Sequence, residues 1–584
     1  MDTGFSSFDS QTSQTEGSSA HSFLEKLREM ESPHSIDFPI QNSSSSQTHS
    51  ASRKVLVQNQ KVARVLVQNR SLSEVFSQIQ EVLCQNQSFE VPQRKNGAVV
   101  AAGITKQRGN YGEAVWIRDL ARVFEGFLAL QKLEEAKKLL FVILNGMSSS
   151  QQLKALWQNI EKPSIYESEN GHMKVPRIRL DAESLLPVQL KTGQEHEWGH
   201  KQNDALALSY LCILKGLRRA LISFEELERP HREYLLGLPI YFSELKYWQM
   251  KDAGAWEEWE ALRSSSLGLV TKVFEELEEA STRTPQEQEL KNLIQWALSD
   301  ESSKCLPSDM TEKKKKLWQV ASLKNLKERG YQQLKNQLPL GESLTESAPR
   351  GPDAALAHLF WFPLKDLEES HFRMIFKHLK EIERAAGILR YQNDIYMQAL
   401  YYFQKKDQAE RLPPDFFQTS SALTGDDLWK LYNPRNPKLS FEVFGQKTEP
   451  QWSIHDPILA SARLWLYEKY ERLEDWQEFL YHSYRSWGSI TPSAKHFKPE
   501  EQSSNRDSGL SCLSADAGAV QSFQMPEAYI PFYLYDSDKR PTTAPIFVPS
   551  KNTPLYWSLS ELAILHQRIE GLPSALMKHE IFRN

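Results

Sequence analysis

The feature that most constrains this chain is a helical hairpin written out in full between residues 117 and 141. Leu120, Val123, Phe127 and Leu130 fall at helical spacing, and a second apolar-faced run begins almost at once at Leu133. Two helices joined by so short a turn must lie antiparallel. The pattern recurs, predicting helices near 204–217, 223–236, 257–278, 286–298, 317–337, 353–362, 371–386, 394–405, 456–471, 473–485 and 557–569. Convincing alternating strands are few. The expectation is an all-α fold, a barrel of six helical hairpins with long loops forming a cleft at one end. A helical solenoid is the competing arrangement, but no fixed repeat period appears.

The long irregular stretches 158–203, 406–455 and 486–556 hold Trp, Tyr, Asp, Glu, Arg and His, which points to functional loops. Residues 1–52 are rich in Ser, Gln, Thr and His and are expected to be disordered, since they cannot bury enough apolar surface to order themselves. As a tether or a docking tail, this segment is a candidate site for a protein partner. Residues 53–94 read as a helical lead-in, in which Val55-Leu56-Val57-Gln58-Asn59 recurs as Val65-Leu66-Val67-Gln68-Asn69. The main domain is expected over 95–584.

With Lys+Arg 70 against Asp+Glu 75 the formal charge is −5, which argues against a strongly basic nucleic-acid surface. Cys84, Cys212, Cys305 and Cys512 are far apart, form no Cys-x-x-Cys motif, and read as free thiols in a reducing compartment. The first residues show no secretory signal, and the longest plain apolar run, 139–144, is too short to span a bilayer. The protein is therefore expected in the cytoplasm, away from membranes. No metal-ligand cluster and no phosphate-binding glycine loop is evident, so neither metal nor cofactor is expected.

Five stretches at loop-to-helix junctions carry more ring and charge chemistry than packing requires. They are Trp116-Ile117-Arg118-Asp119, Trp198-Gly199-His200-Lys201-Gln202-Asn203-Asp204, Gly254-Ala255-Trp256-Glu257-Glu258-Trp259-Glu260, Gly387-Ile388-Leu389-Arg390-Tyr391, and Pro526-Glu527-Ala528 with Thr553-Pro554-Leu555-Tyr556-Trp557-Ser558 downstream. Each also has a plain structural reading. Asp119, Asn203 and Asp204 suit helix caps. Arg390 suits a surface ion pair. The acids after Trp256 suit the first turn of a helix. A carboxylate held between indole faces loses water, however, which favours its protonated form and makes Glu257 a candidate general acid.

Taken in order, the five stretches resemble the signature segments of glycoside hydrolase family 15, the glucoamylases, over about 95–580. The Trp-Gly-His-x-Gln form at 198–202 is closer to the related domain of phosphorylase kinase α and β subunits. The resemblance implies a six-hairpin (α/α)6 barrel. It implies Glu257 as general acid and Glu527 as general base of an inverting exo-hydrolase that takes glucose from α-glucan or malto-oligosaccharide ends. Arg118, Asp119, Trp198, Trp256, Glu258 and Arg390 match residues around the sugar. Inversion needs two carboxyl groups roughly 6.5–9.5 Å apart, one to protonate the leaving oxygen and one to activate water. Ala528 stands where the family has Gln, His200-Lys201 where it has Arg-Pro, and Leu559-Ser560 where it has His-Ala. The alternative reading is a non-catalytic, glucan-sensing regulatory protein of the phosphorylase kinase kind.

Overall fold

Six helical rods stand side by side in a closed ring. In the computed structural model, which describes residues 34–39, 52–69, 71–103, 110–190, 192–282, 287–307, 310–343, 350–392, 394, 449–492, 522–532, 546–550 and 552–578, the ring follows chain order. The helical lead-in supplies α1 (Gln60–Gln68) and α2 (Leu72–Gln85). Then come α3 (Ile117–Ala129), α4 (Leu133–Met147), α5 (Ser150–Glu161), α6 (Asn203–Arg218), α7 (Arg229–Glu244), α8 (Ser264–Thr282) and α9 (Val320–Gln337). A 3-10 helix, Ala354–Phe360, precedes α10 (Glu369–Glu381), α11 (His455–Tyr470), α12 (Leu473–Gly488) and α13 (Tyr556–Glu570). Helix α3 packs on α6, α6 on α8, α8 on the 3-10 helix, the 3-10 helix on α11, α11 on α13, and α13 returns to α3. The helices α4, α9, α10 and α12 pack outside as antiparallel partners of α3, α8, the 3-10 helix and α11. This is the barrel that the helical hairpins predict.

Burial explains which helices go inside. Every residue of α3 except Asp119 is buried, and the first fourteen residues of α8, Ser264 to Leu277, are buried on all sides. A helix apolar all round belongs in a core, whereas one with a single apolar stripe lies on the surface. The ring closes tightly where α3 meets α13. A Cβ on Gly126 would stand 2.6 Å from the Ser560 Cβ, so the two helix backbones approach as only glycine permits.

The inner helices run parallel. Arg122 and Glu561, each one turn inside its helix, pair across α3 and α13, as do Glu125 and Lys215 farther along α3 and α6. The N-termini of α3, α6 and α13 therefore lie at one end, and the starts of the 3-10 helix and α11 meet each other there at Trp256, through Asp353 and His455. A small antiparallel sheet lies among the loops there, in the order β5 (Glu383–Arg384), β6 (Gly387–Ile388), β7 (Gln451–Trp452), β8 (Ala528–Phe532) and β9 (Ile546–Pro549). A second pair, β3 (Ala114–Trp116) with β4 (Arg179–Asp181), feeds directly into α3.

Three expectations are corrected. Strand β1 (His34–Pro39) lies inside the segment read as disordered and pairs with β2 (Ser52–Val57), although 1–33 and 40–51 lie outside the described residues. The lead-in is not one helix. Residues 52–57 are extended, then Asn59 and Ser71 start two separate helices by accepting hydrogen bonds from backbone N–H groups. The helix predicted from residue 257 begins at Ser264 instead, because Gly254 and Glu257 both take left-handed backbone angles, φ 63° and 59°. The predicted helix 394–405 falls outside the described residues, Asp394 apart.

Candidate active site

The first turns of the ring and the loops above them bring the singled-out residues to one place. Strand β3 ends at Trp116, and the chain turns straight into α3, so Arg118 and Asp119 occupy its first turn. Asp204, in the first turn of α6, is not a helix cap. It takes Arg118 Nε at 2.7 Å and Nη2 at 3.2 Å. Nη2 also donates to Gln202 Oε1 at 2.6 Å and to the Gly254 carbonyl at 3.2 Å. The third nitrogen, Nη1, stands 3.8 Å from the Glu257 carboxylate. The loop on which Glu257 sits is thus tied to α3 and α6 by one guanidinium.

Glu257 projects from a turn rather than a helix. Its N–H donates to the Gly254 carbonyl at 3.2 Å, and a Cβ on Gly254 would stand 2.2 Å from Arg263 Cδ. Position 254 must therefore be glycine, and the turn it makes aims Glu257 inward. Burial pushes the Glu257 carboxyl above the usual carboxylate range, against the opposing pull of Arg118 and Arg179.

Glu527 arrives from the other end of the chain. It immediately precedes β8, whose Ala528 pairs with Trp452 of β7, which in turn pairs with Ile388 of β6, two residues before Arg390. Trp452 thus lies between the strands that carry Glu527 and Arg390, and the Arg390 guanidinium stands 5.4 Å from its ring. Glu527 is buried, at 3% exposure, and its Oε2 accepts from Asn552 Nδ2 at 2.6 Å. The carbonyl of Pro526 accepts from Ser453 Oγ at 2.9 Å and from Ser558 Oγ at 3.2 Å, which fixes this loop to the starts of α11 and α13.

Asp119 joins the two acids. Burial raises its carboxyl to about 7, Arg118 opposes, and the negative charges of both Glu257 and Glu527 push it further up. Glu257 and Glu527 are 270 positions apart in the chain, yet Trp256, beside Glu257, packs at 5.6 Å on Trp452, which pairs with Ala528, beside Glu527.

The remaining singled-out residues form the walls. Trp198 is half-buried and lies under the Arg179 guanidinium at 4.1 Å, edge-on to Trp116 at 6.3 Å. Trp256 donates from Nε1 to Asp353 Oδ1 at 2.7 Å and packs against Trp452, His358 and His455 at 5.6–6.0 Å between ring centroids. Glu258 lies in a closed charge cluster. It pairs with Arg350, stands 3.4 Å from Arg390, and accepts from the Tyr391 hydroxyl at 2.7 Å. Burial acts to raise its carboxyl, but Arg350 and Arg390 bring it below the usual range. Arg390 is clasped by Asp394 at 2.7 and 2.5 Å and is not a surface ion pair.

Several residues here carried no motif. Asp353 both caps the 3-10 helix, through Ala355 N–H at 2.8 Å, and holds Trp256. His358 stacks on Trp361 at 3.8 Å and touches Trp557, so Trp256, His358, Trp361 and Trp557 make a continuous aromatic floor. Burial drives the His358 imidazole well below its ordinary value, leaving it neutral. The signal for these residues was only their position at the start of an inner helix, which becomes readable once the ring is known.

No family model matches the chain. The uncharacterized lipoprotein YgeQ of Escherichia coli (strain K12) is 28% identical over 147 residues, which is 24% of this chain and 54% of that protein. The chain thus spans about half the length of that curated relative. In structure the chain resembles glycosidases and glucoamylases over most of its length. A wild-type glycosidase superposes at TM-score 0.46 and 15% identity, covering 88% of this chain and 98% of that one. The glucoamylase of Hormoconis resinae superposes at TM-score 0.41 and 14% identity, covering 86% and 74%. That of Saccharomycopsis fibuligera superposes at TM-score 0.36 and 12% identity, covering 86% and 98%.

Proposed function

We propose that the chain is an inverting exo-acting glycoside hydrolase of the glucoamylase kind, working in the cytoplasm on α-glucan or malto-oligosaccharide ends and releasing glucose. The observation that carries the reading is that Trp256, beside Glu257, packs at 5.6 Å on Trp452, which pairs with Ala528, beside Glu527. Hydrolysis by inversion requires one carboxyl that is protonated and one that is ionised, on opposite faces of one sugar. Burial raises the Glu257 carboxyl above the usual carboxylate range, which suits the acid that protonates the leaving oxygen. Asn552 orients Glu527, which suits the base that takes a proton from water.

In this reading Arg118 Nη1 and Asp119 hold hydroxyls of the terminal glucose, where buried charged groups discriminate strongly. Trp256 supports the sugar ring, and Glu258 and Arg390 fix the rim of the same hollow. Trp198 faces the leaving residue with its apolar plane. The three described cysteines, Cys84, Cys212 and Cys305, are free thiols, in keeping with a reducing compartment.

The second reading, a glucan-sensing regulatory barrel, is favoured by the altered loop at 200–201. His200 and Lys201 are both buried, and Lys201 is taken up by Glu260 at 2.7 Å. Incubating purified protein with maltoheptaose separates the two. Release of glucose as the β anomer, read by NMR, is the expected result. Saturable binding of maltoheptaose with no glucose released would replace the hydrolase by the sensor.

A further inference from the structure

The loops that carry Trp198 and Glu257 are joined by one lysine. Lys201 lies three residues after Trp198, and its carbonyl accepts from the Ala253 N–H at 2.7 Å. Its side chain is buried, and its Nζ meets Glu260 Oε2 at 2.7 Å. The ammonium also stands 4.5 Å from the centre of the Tyr166 ring, whose hydroxyl donates to the Lys251 carbonyl at 2.7 Å. Lys201 thus holds the 251–260 loop by its backbone near one end and by its charge at the other.

Lysine is among the residues least often buried, because its charge must then be met. Glu260 is the one carboxylate within 4 Å of it among the described residues. The loop that Glu260 ends is stiff. Asp252 and Ala261 exchange two backbone hydrogen bonds at 2.9 Å, and Arg263 Nη2 donates to the Trp259 carbonyl at 2.6 Å. A hold on Glu260 is therefore a hold on the whole turn, Glu257 included. On the other side the approach is close. A Cβ on Gly199, beside Trp198, would stand 3.4 Å from the Glu257 carbonyl. The glucoamylase segment has Pro where this chain has Lys201, and a proline ring can make no such ion pair.

We propose that Lys201 is a positioning residue: its pair with Glu260 sets the Trp198 wall against the Glu257 turn and so shapes the place that takes the leaving residue. The proposal rests on reading the hollow as a glucan site. It does not require Lys201 to touch the sugar. The lysine acts through Trp198 on one loop and through the turn at 254–260 on the other.

The test compares Lys201→Met and Lys201→Arg with the wild type, all as full chains. Methionine keeps the stem and removes the charge, and it leaves behind Glu260, which is 36% exposed and can be met by water. Hydrogen exchange is expected to quicken about fivefold at 198–203 and 253–260 in Lys201→Met, and to return to the wild-type rate in Lys201→Arg. For maltoheptaose, KM is expected to rise about fivefold in Lys201→Met with kcat within about twofold, because the hold on the leaving residue is lost and the acid is kept. In a chain that binds without cleaving, Kd from calorimetric titration with maltoheptaose takes the place of KM. Exchange unchanged in Lys201→Met would overturn the clasp. Faster exchange with KM or Kd unchanged would overturn its hold on the leaving residue. A wild type that neither cleaves nor binds maltoheptaose would sink the glucan reading, and exchange would still decide the clasp.

Discussion

Arg118 and Asp204 meet through two hydrogen bonds, at 2.7 and 3.2 Å, between the first turns of neighbouring inner helices, and both side chains are buried. The pair is what holds Arg118 Nη1 toward Glu257. Removing Asp204 strands a buried cation, and such a loss costs about 3–5 kcal/mol. Asp204→Ala is expected to lower stability by that amount in urea unfolding. A variant as stable as the wild type would mean that the guanidinium does not depend on this partner.

Glu257→Gln keeps the shape of the turn but cannot give up a proton. Loss of a general acid is expected to cut glucose release from maltoheptaose by about 10²–10⁴-fold, with KM little changed. In the wild type, activity falls as pH rises through the raised Glu257 value, because the acid must be protonated to work. Unchanged turnover in the variant would refute the assignment.

Glu257 also bears backbone strain, at φ 59°, together with a desolvated carboxyl. Glycine carries neither penalty. Glu257→Gly is therefore expected to be inactive yet more stable by about 1 kcal/mol, seen as a higher midpoint in urea. A destabilised Gly variant would show that the side chain's contacts outweigh the strain.

Stability should decline between about pH 6.5 and pH 8.5. Asp119 and Asp252 are raised by burial to about 7, and Glu342 by burial and Asp353 to about 8. In that window the folded chain keeps protons that the unfolded chain has already released, so rising pH favours unfolding. Below it, buried neutral imidazoles such as His358 and His455 act in the opposite sense, since the unfolded chain charges them. Thermal unfolding at pH 6.5 and 8.5 measures the decline, and Asp119→Asn should narrow the gap. An equal gap in that variant would remove Asp119 from the account.

Much of the barrel was readable in advance because an inner helix is apolar on every side and its outer partner on one. The segments 456–471, 473–485 and 557–569 coincide with α11, α12 and α13 to within a residue or a few. Glu257 and Glu527 stood out in the sequence because their flanks, Trp256 and Pro526, are distinctive. The turn at 254–260 was open to misreading, since Glu and Asp crowd helix starts and nothing local reveals a left-handed Glu257. Asp353, Arg350 and His358 could not be found from sequence at all. Their importance comes from touching Trp256, Glu258 and Trp361, which lie far off in the chain or across a turn.

The ring is shut by its final member, α13 lying back against α3, and the Glu527 loop is pinned by Ser558 at that same helix. A growing polypeptide would carry Glu257 long before it carries the piece that seats the opposing acid. Competence would then be the last property acquired during synthesis, arriving only when both ends of the chain have met. Such distant pairing also makes for slow folding. A break anywhere in the closing segment would silence the whole barrel rather than a part of it.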